Sequence, residues 1–180
     1  GITLVYSNGY PISGLYPAFR WLGSGFIGPV PVPVALYALV VALGAAVLAY
    51  TRFGRYLYAI GGNEEAARLS GIPVDRYRIA VYAISGFSAG LGGLVLTARL
   101  NSANPVAGTG YELDVIAAVV IGGTSLFGGQ GSVTGTLVGS LLMGVIGNGL
   151  NLLNVSSFYQ QIVKGGIIIL ALVLDRFRRG

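Results

Sequence analysis

The chain has 180 residues, 54% of them hydrophobic and only 9% charged, with a net charge of +5 and a mean hydropathy of +0.76. Soluble domains carry about 25% charged residues and need a polar shell, so this composition excludes an ordinary water-soluble globule and indicates a membrane protein. The absence of Cys and His excludes a disulfide framework, imidazole or thiolate metal sites and histidine acid–base chemistry.

The basic residues gather at the ends of apolar runs, which fits membrane topology better than nucleic-acid binding, so no nucleic-acid partner is expected. The sequence opens on Gly1 and shows no signal-peptide pattern. The expectation is a trimmed start or a piece of a longer protein.

Residues 1–33 are broken by prolines and glycines and interleaved with Tyr and Trp. They read as an interfacial loop with room for a short helix. Val34–Tyr50 is uncharged and, as a helix, spans roughly 26 Å, close to the hydrocarbon thickness. Ile79–Leu100 is also long enough to cross. Its charge, Arg99, sits at the far end within snorkelling reach, and Gly86, Gly90 and Gly93 give it a smooth face for helix contact.

Asn101–Gly110 reads as a loop. Glu112–Gly123 is apolar after an acidic start suited to a first helical turn, and it is short for a crossing. It either continues to about residue 129 or forms a broken, re-entrant element. Val133–Leu153 crosses again, with Gly135 and Gly139 as a small-residue pair. A last apolar run, about 158–175, contains Lys164 and leads to a basic terminus.

Arg52, Arg55, Arg68, Arg76 and Arg78 lie between the first two strong spans, and Arg176, Arg178 and Arg179 follow the last. The positive-inside rule puts both groups in the cytoplasm, which requires an even number of crossings between them. Four fit. The expected fold is therefore all-α: a polytopic membrane protein of about five transmembrane segments, forming a single transmembrane domain over 1–180 with a cytoplasmic loop over 61–78.

That loop carries the signals of a short helix over 64–70. Asn63 is an N-cap, Glu64 and Glu65 favour the first turn, and Glu64 precedes Arg68 by four residues. Gly71 suits a left-handed stop and Pro73 blocks continuation. Two turns are marginal alone in water, so the helix must lean on something. Ala66, Ala67 and Leu69 offer a shallow apolar surface, either for a groove on another protein or for the chain's own membrane domain.

Other signals are weaker. The glycines at 123, 128, 129, 131 and 135 mimic phosphate and dinucleotide loops but lack the Lys-Ser/Thr and the spacing, so they read as a tight turn. Glu112 and Asp114 read as boundary charges rather than catalytic carboxylates. Lys164 is either a pathway residue or a snorkelling anchor. Asn148 and Asn151 share a helical face, with Gln160 beyond; such amides suit either a polyhydroxylated solute or helix–helix bonds.

"YAIGGNEEAARLSGI" (Tyr58–Ile72), "ELDVIAAVVIGGTSLFGGQGSVTGTLVG" (Glu112–Gly139) and "NGLNLLNVSSFYQQIVKG" (Asn148–Gly165) resemble, in order, the C-terminal half of permease subunits of bacterial ABC sugar importers of the ribose/xylose/galactose type. The resemblance implies a multi-pass subunit of the bacterial cytoplasmic membrane, in contact with lipid and paired with a second permease copy. Residues 63–69 and Gly71 would dock on a separate ATPase, which binds the ATP, so no cofactor is expected in this chain. A periplasmic or lipoprotein sugar-binding protein would deliver cargo, with Asn148, Asn151, Gln160 and Lys164 as the candidate pathway residues. Branched-chain amino acid and nucleoside permeases share the general plan. A passive channel is the competing class.

Overall fold

A computed structural model of the chain describes residues 2–177; Arg178 and Arg179 of the basic terminus lie outside the described residues. The chain forms two compact units. One runs through Leu43 and resumes from Asp75 to Thr109; the other takes Gly44–Val74 and everything from Gly110 onward.

In the first unit, the stretch expected to be irregular holds two short helices, α1 (Ile2–Ser7) and α2 (Pro17–Ser24), and three two-residue strands, β1 (Ile12–Ser13), β2 (Phe26–Ile27) and β3 (Val30–Pro31). Pro17 starts α2, where its missing N–H costs nothing. β2 and β3 form a hairpin that feeds α3 (Val32–Tyr50), two residues ahead of the expected start. α6 (Val74–Leu100) is longer than expected, because Val74–Arg78 join the helix. Its far end meets α2, where a Cβ on Gly23 would strike the backbone of Ala98 and Arg99. β4 (Ser102–Ala103) then pairs antiparallel with β1. The smooth face at Gly86, Gly90 and Gly93 meets nothing within 4 Å among the described residues.

In the second unit, α4 (Arg52–Gly62) and α5 (Glu64–Leu69) pack on each other. α7 (Tyr111–Ile121) packs against both α8 (Val133–Leu152) and α9 (Ser157–Phe177). Buried Ala117, Ala118 and Met143 form the core, bordered by Ile121, Ile146 and Ile168. Small residues bring the backbones close: a Cβ on Gly139 would strike the Ala118 carbonyl oxygen, and one on Gly135 the Gly122 carbonyl. The predicted pair of small residues is thus the α7–α8 contact.

α3, α6 and α8 are long and apolar enough to cross a membrane. α9, at 21 residues, rises roughly 31 Å and has the length as well. Of the two readings kept for 112–129, a helix continuing to about 129 or a broken element, the structure has the shorter helix: α7 has 11 residues, roughly 16 Å, and ends at Ile121 before a turn at Gly122 and Gly123. A half-length helix is tolerated at membrane depth where protein surrounds it, and Ala117, Ala118 and Val120 are buried. The short helix was expected over 64–70 and ends one residue earlier. α4 was not foreseen at all.

Candidate functional site

The first candidate site is the α4–α5 corner. Thr51 makes the bend into α4: its hydroxyl donates to Val47 O at 2.6 Å and accepts from Gly54 N–H at 3.3 Å. At the other end, Asn63 serves two helices. Its backbone N–H donates to Ala59 O at 3.1 Å, closing α4, and its Oδ1 accepts from Ala66 N–H at 2.9 Å, opening α5.

Glu64 and Glu65 face the positive end of the α5 dipole, and Arg68 pairs with Glu64 at 3.5 Å on the exposed surface. That pair contributes only a few tenths of a kcal/mol, roughly 0.3–0.5. The stop is a Schellman motif: Ile72 N–H donates to Ala67 O at 3.1 Å and Gly71 N–H to Arg68 O at 3.0 Å. Gly71 takes the left-handed φ of +82° that this motif requires.

The expected apolar surface of α5 divides. Ala67 is 5% exposed and seats the helix on its own chain, while Leu69 is 84% exposed and Ala66 also faces outward. Ala67 leans inward, and Ala66, Leu69, Glu64, Glu65 and Arg68 are exposed.

The α7–α8 turn lies against this corner. Tyr58 Oη donates to Gly131 O at 2.8 Å. The backbones of Gly61 and Gly62 touch those of Gly128 and Gly129: a Cβ on Gly61 would lie 2.6 Å from Gly129 N, and one on Gly129 2.9 Å from Gly62 Cα. The glycines that mimicked a phosphate loop are a backbone-to-backbone clamp. No sequence signal linked residues 61 and 129, because the contact is between bare backbones.

The second candidate site joins α7, α8 and α9 at their other end. Lys164 Nζ lies 2.6 Å from Asp114 Oδ1, with side chains 18% and 31% exposed. No aligned hydrogen bond reaches that shielded oxygen among the described residues, so the ammonium compensates it as an ion pair. Lys164 was expected to be a pathway residue or an anchor and Asp114 a boundary charge; the structure pairs the two. One turn before Lys164 on α9, Gln160 Nε2 donates to Asn151 Oδ1 and to Val155 O, each at 2.9 Å. Three of the four candidate pathway residues thus gather here. Asn148, one turn back on α8, is exposed and takes no part in these bonds. Glu112 is occupied locally, its Oε2 accepting from Gly110 N–H at 3.1 Å.

Known proteins resemble this chain in sequence. The family described as branched-chain amino acid transport system / permease component matches residues 5–172. The ribose import permease protein of Escherichia coli (strain K12) is 52% identical over 179 residues, covering 97% of this chain and 56% of that protein. The ribose import permease protein of Bacillus subtilis (strain 168) is 52% identical over 178 residues, covering 98% and 55%. The xylose transport system permease protein of Escherichia coli (strain K12) is 50% identical over 155 residues, covering 86% and 39%. The chain therefore spans about half the length of the ribose relatives it matches. No solved structure matches it.

Proposed function

The chain belongs to the branched-chain amino acid transport system / permease component family, and we propose that it forms part of the membrane-spanning permease of an ATP-driven importer for a ribose-like monosaccharide. It is a multi-pass protein of the bacterial cytoplasmic membrane in this reading, paired with a second permease copy and supplied by a periplasmic or lipoprotein sugar-binding protein. ATP is bound and hydrolysed by a separate subunit, and this chain carries no cofactor and no catalytic group.

The observation that carries the reading is α5. It is a two-turn helix held at both ends by its own caps and seated by one buried alanine, with its charged and apolar outer face exposed. So short a helix, so firmly fixed, suits a lever gripped by a partner. Closure of the ATPase pair pulls on α5, and α4, joined to it through Asn63, passes the movement to the spans. Asn151, Gln160 and Lys164 lie on the solute pathway at the far end of α7–α9, where amides and a compensated charge pair can exchange hydrogen bonds with sugar hydroxyls.

The test uses the whole permease reconstituted with its ATPase and receptor. Glu65→Arg is expected to release the ATPase in pull-down while leaving membrane insertion intact; unchanged capture sinks the lever. Uptake of labelled ribose and xylose that persists without ATP would instead make the protein a passive channel. The family's description keeps one other cargo in play: ATP-dependent uptake of leucine in place of sugar would select a branched-chain amino acid permease.

A further inference from the structure

We propose that the α7–α8 turn, residues 122–132, is a second docking element for the ATPase subunit, continuous with α5; the proposal rests on the reading of α5 given above. Its first support is position. The clamp of Gly61 and Gly62 on Gly128 and Gly129, with the Tyr58 Oη–Gly131 O bond, fixes the turn directly beside Asn63, where α5 begins. No side chain separates the two backbones, so the turn and the stem of α5 move together.

The second support is the way the turn is built. Ser125 is 7% exposed and organises it: its N–H donates to Gln130 O at 3.0 Å, its carbonyl accepts from Gly128 N–H at 3.3 Å, and its Oγ accepts from Phe127 N–H at 3.2 Å. A fixed turn of this kind holds its tip in place at little further entropic cost on binding. That turn carries Leu126 and Phe127, 48% and 58% exposed, beyond the end of α7. Leu69 on α5 is exposed as well, and residues 122–132 carry no charge. Apolar and aromatic side chains held rigidly at a surface are the usual anchors of a protein interface. The occupant that meets α5 is the one within reach.

The experiment compares Phe127→Ser, Leu126→Ser and Glu65→Arg in the full-length permease in nanodiscs, titrated with the ATPase subunit. Phe127→Ser is expected to weaken binding about tenfold, as loss of an anchor does, with the permease still monodisperse. If it binds like the parent while Glu65→Arg releases the ATPase, the second docking element is refuted and the lever stands. If both bind like the parent, both readings fall. Phe127→Trp in a permease whose other tryptophans, Trp21 among them, are replaced by Phe provides a readout independent of folding: its emission should shift to the blue on adding ATPase. Quenching by brominated lipid before the ATPase is added would place the tip in the bilayer and overturn the proposal. A blue-shifted, unquenched emission in permease alone would overturn it too, because another part of the permease would already cover the tip.

Discussion

Lys164 Nζ lies 2.6 Å from Asp114 Oδ1 and ties α9 to the first turn of α7. An ionisable group shielded from water is costly unless compensated, and each residue supplies the other's compensation. Lys164→Met alone should therefore lower stability by about 2 kcal/mol, below the range for fully buried pairs because both side chains keep some exposure. Asp114→Asn alone should cost a similar amount, and the double variant should cost clearly less than the sum. Thermal unfolding in detergent reads all three; additive losses would show that the two charges are not coupled.

The Gln160–Asn151 bond next to this pair separates a pathway role from a purely structural one. Loss of one neutral hydrogen bond costs about 1 kcal/mol, roughly fivefold in an equilibrium constant. If these amides meet sugar, Asn151→Ala should raise the half-saturation concentration for ribose uptake by about that factor with unfolding little changed. A lowered unfolding temperature with unaltered half-saturation would make the bond a helix–helix fastener.

What the sequence made legible follows from range. The ends of α5 were readable because caps and stops act within about five residues: Asn63 with Ala66, Gly71 with Arg68, Ile72 with Ala67. The long spans were readable because bilayer thickness sets a length that composition alone reveals. α4 escaped because "RFGRYLYAIGG" mixes glycine, arginine and aromatics, and its cap Thr51 looked like the end of α3. The end of α7 stayed open in the sequence because apolar Leu126 and Phe127 follow Ile121 closely, yet Gly122 and Gly123 turn the chain between them. The Lys164–Asp114 pair and the Gly61–Gly129 clamp join residues far apart in the chain, and a single sequence gives no sign of such contacts.

Asn63 closes α4 and opens α5 with one residue. Asn63→Ala should remove about 1 kcal/mol of capping, enough to fray a helix this short. Hydrogen exchange is the readout: the amides of Ala66 to Ser70 should exchange faster in Asn63→Ala and near the parent rate in Asn63→Asp, which keeps an accepting oxygen. Equal rates in all three would mean that the seat at Ala67, not the cap, holds α5.

Gly71 tests the other end, where φ is +82° and a Cβ added to the glycine would meet nothing within 4 Å among the described residues. Space is therefore not the constraint; backbone strain is. Gly71→Ala should cost about 1 kcal/mol through the left-handed conformation alone. Gly71→Asn, which tolerates that conformation better, should recover part of the loss in protection of the Ile72 amide. If Ala and Asn behave alike, the Schellman stop does not set the length of α5.

Gly139 and Gly147 lie on the same helix and separate packing from propensity. A Cβ at Gly139 would strike the Ala118 carbonyl oxygen, whereas one at Gly147 meets nothing within 4 Å among the described residues. Alanine favours a helix over glycine by about 1 kcal/mol, so Gly147→Ala should be neutral or mildly stabilising. Gly139→Ala must push α8 away from α7, opening the contact around Ala118 and Met143, and overpacking of this kind costs about 1–3 kcal/mol. The two effects have opposite signs at chemically identical substitutions, so a loss of expression common to both cannot mimic the result. Paired unfolding curves in one detergent decide it: a lower midpoint for Gly139→Ala alone supports direct α7–α8 backbone contact, and equal midpoints would mean that the two helices stand further apart than their glycines allow.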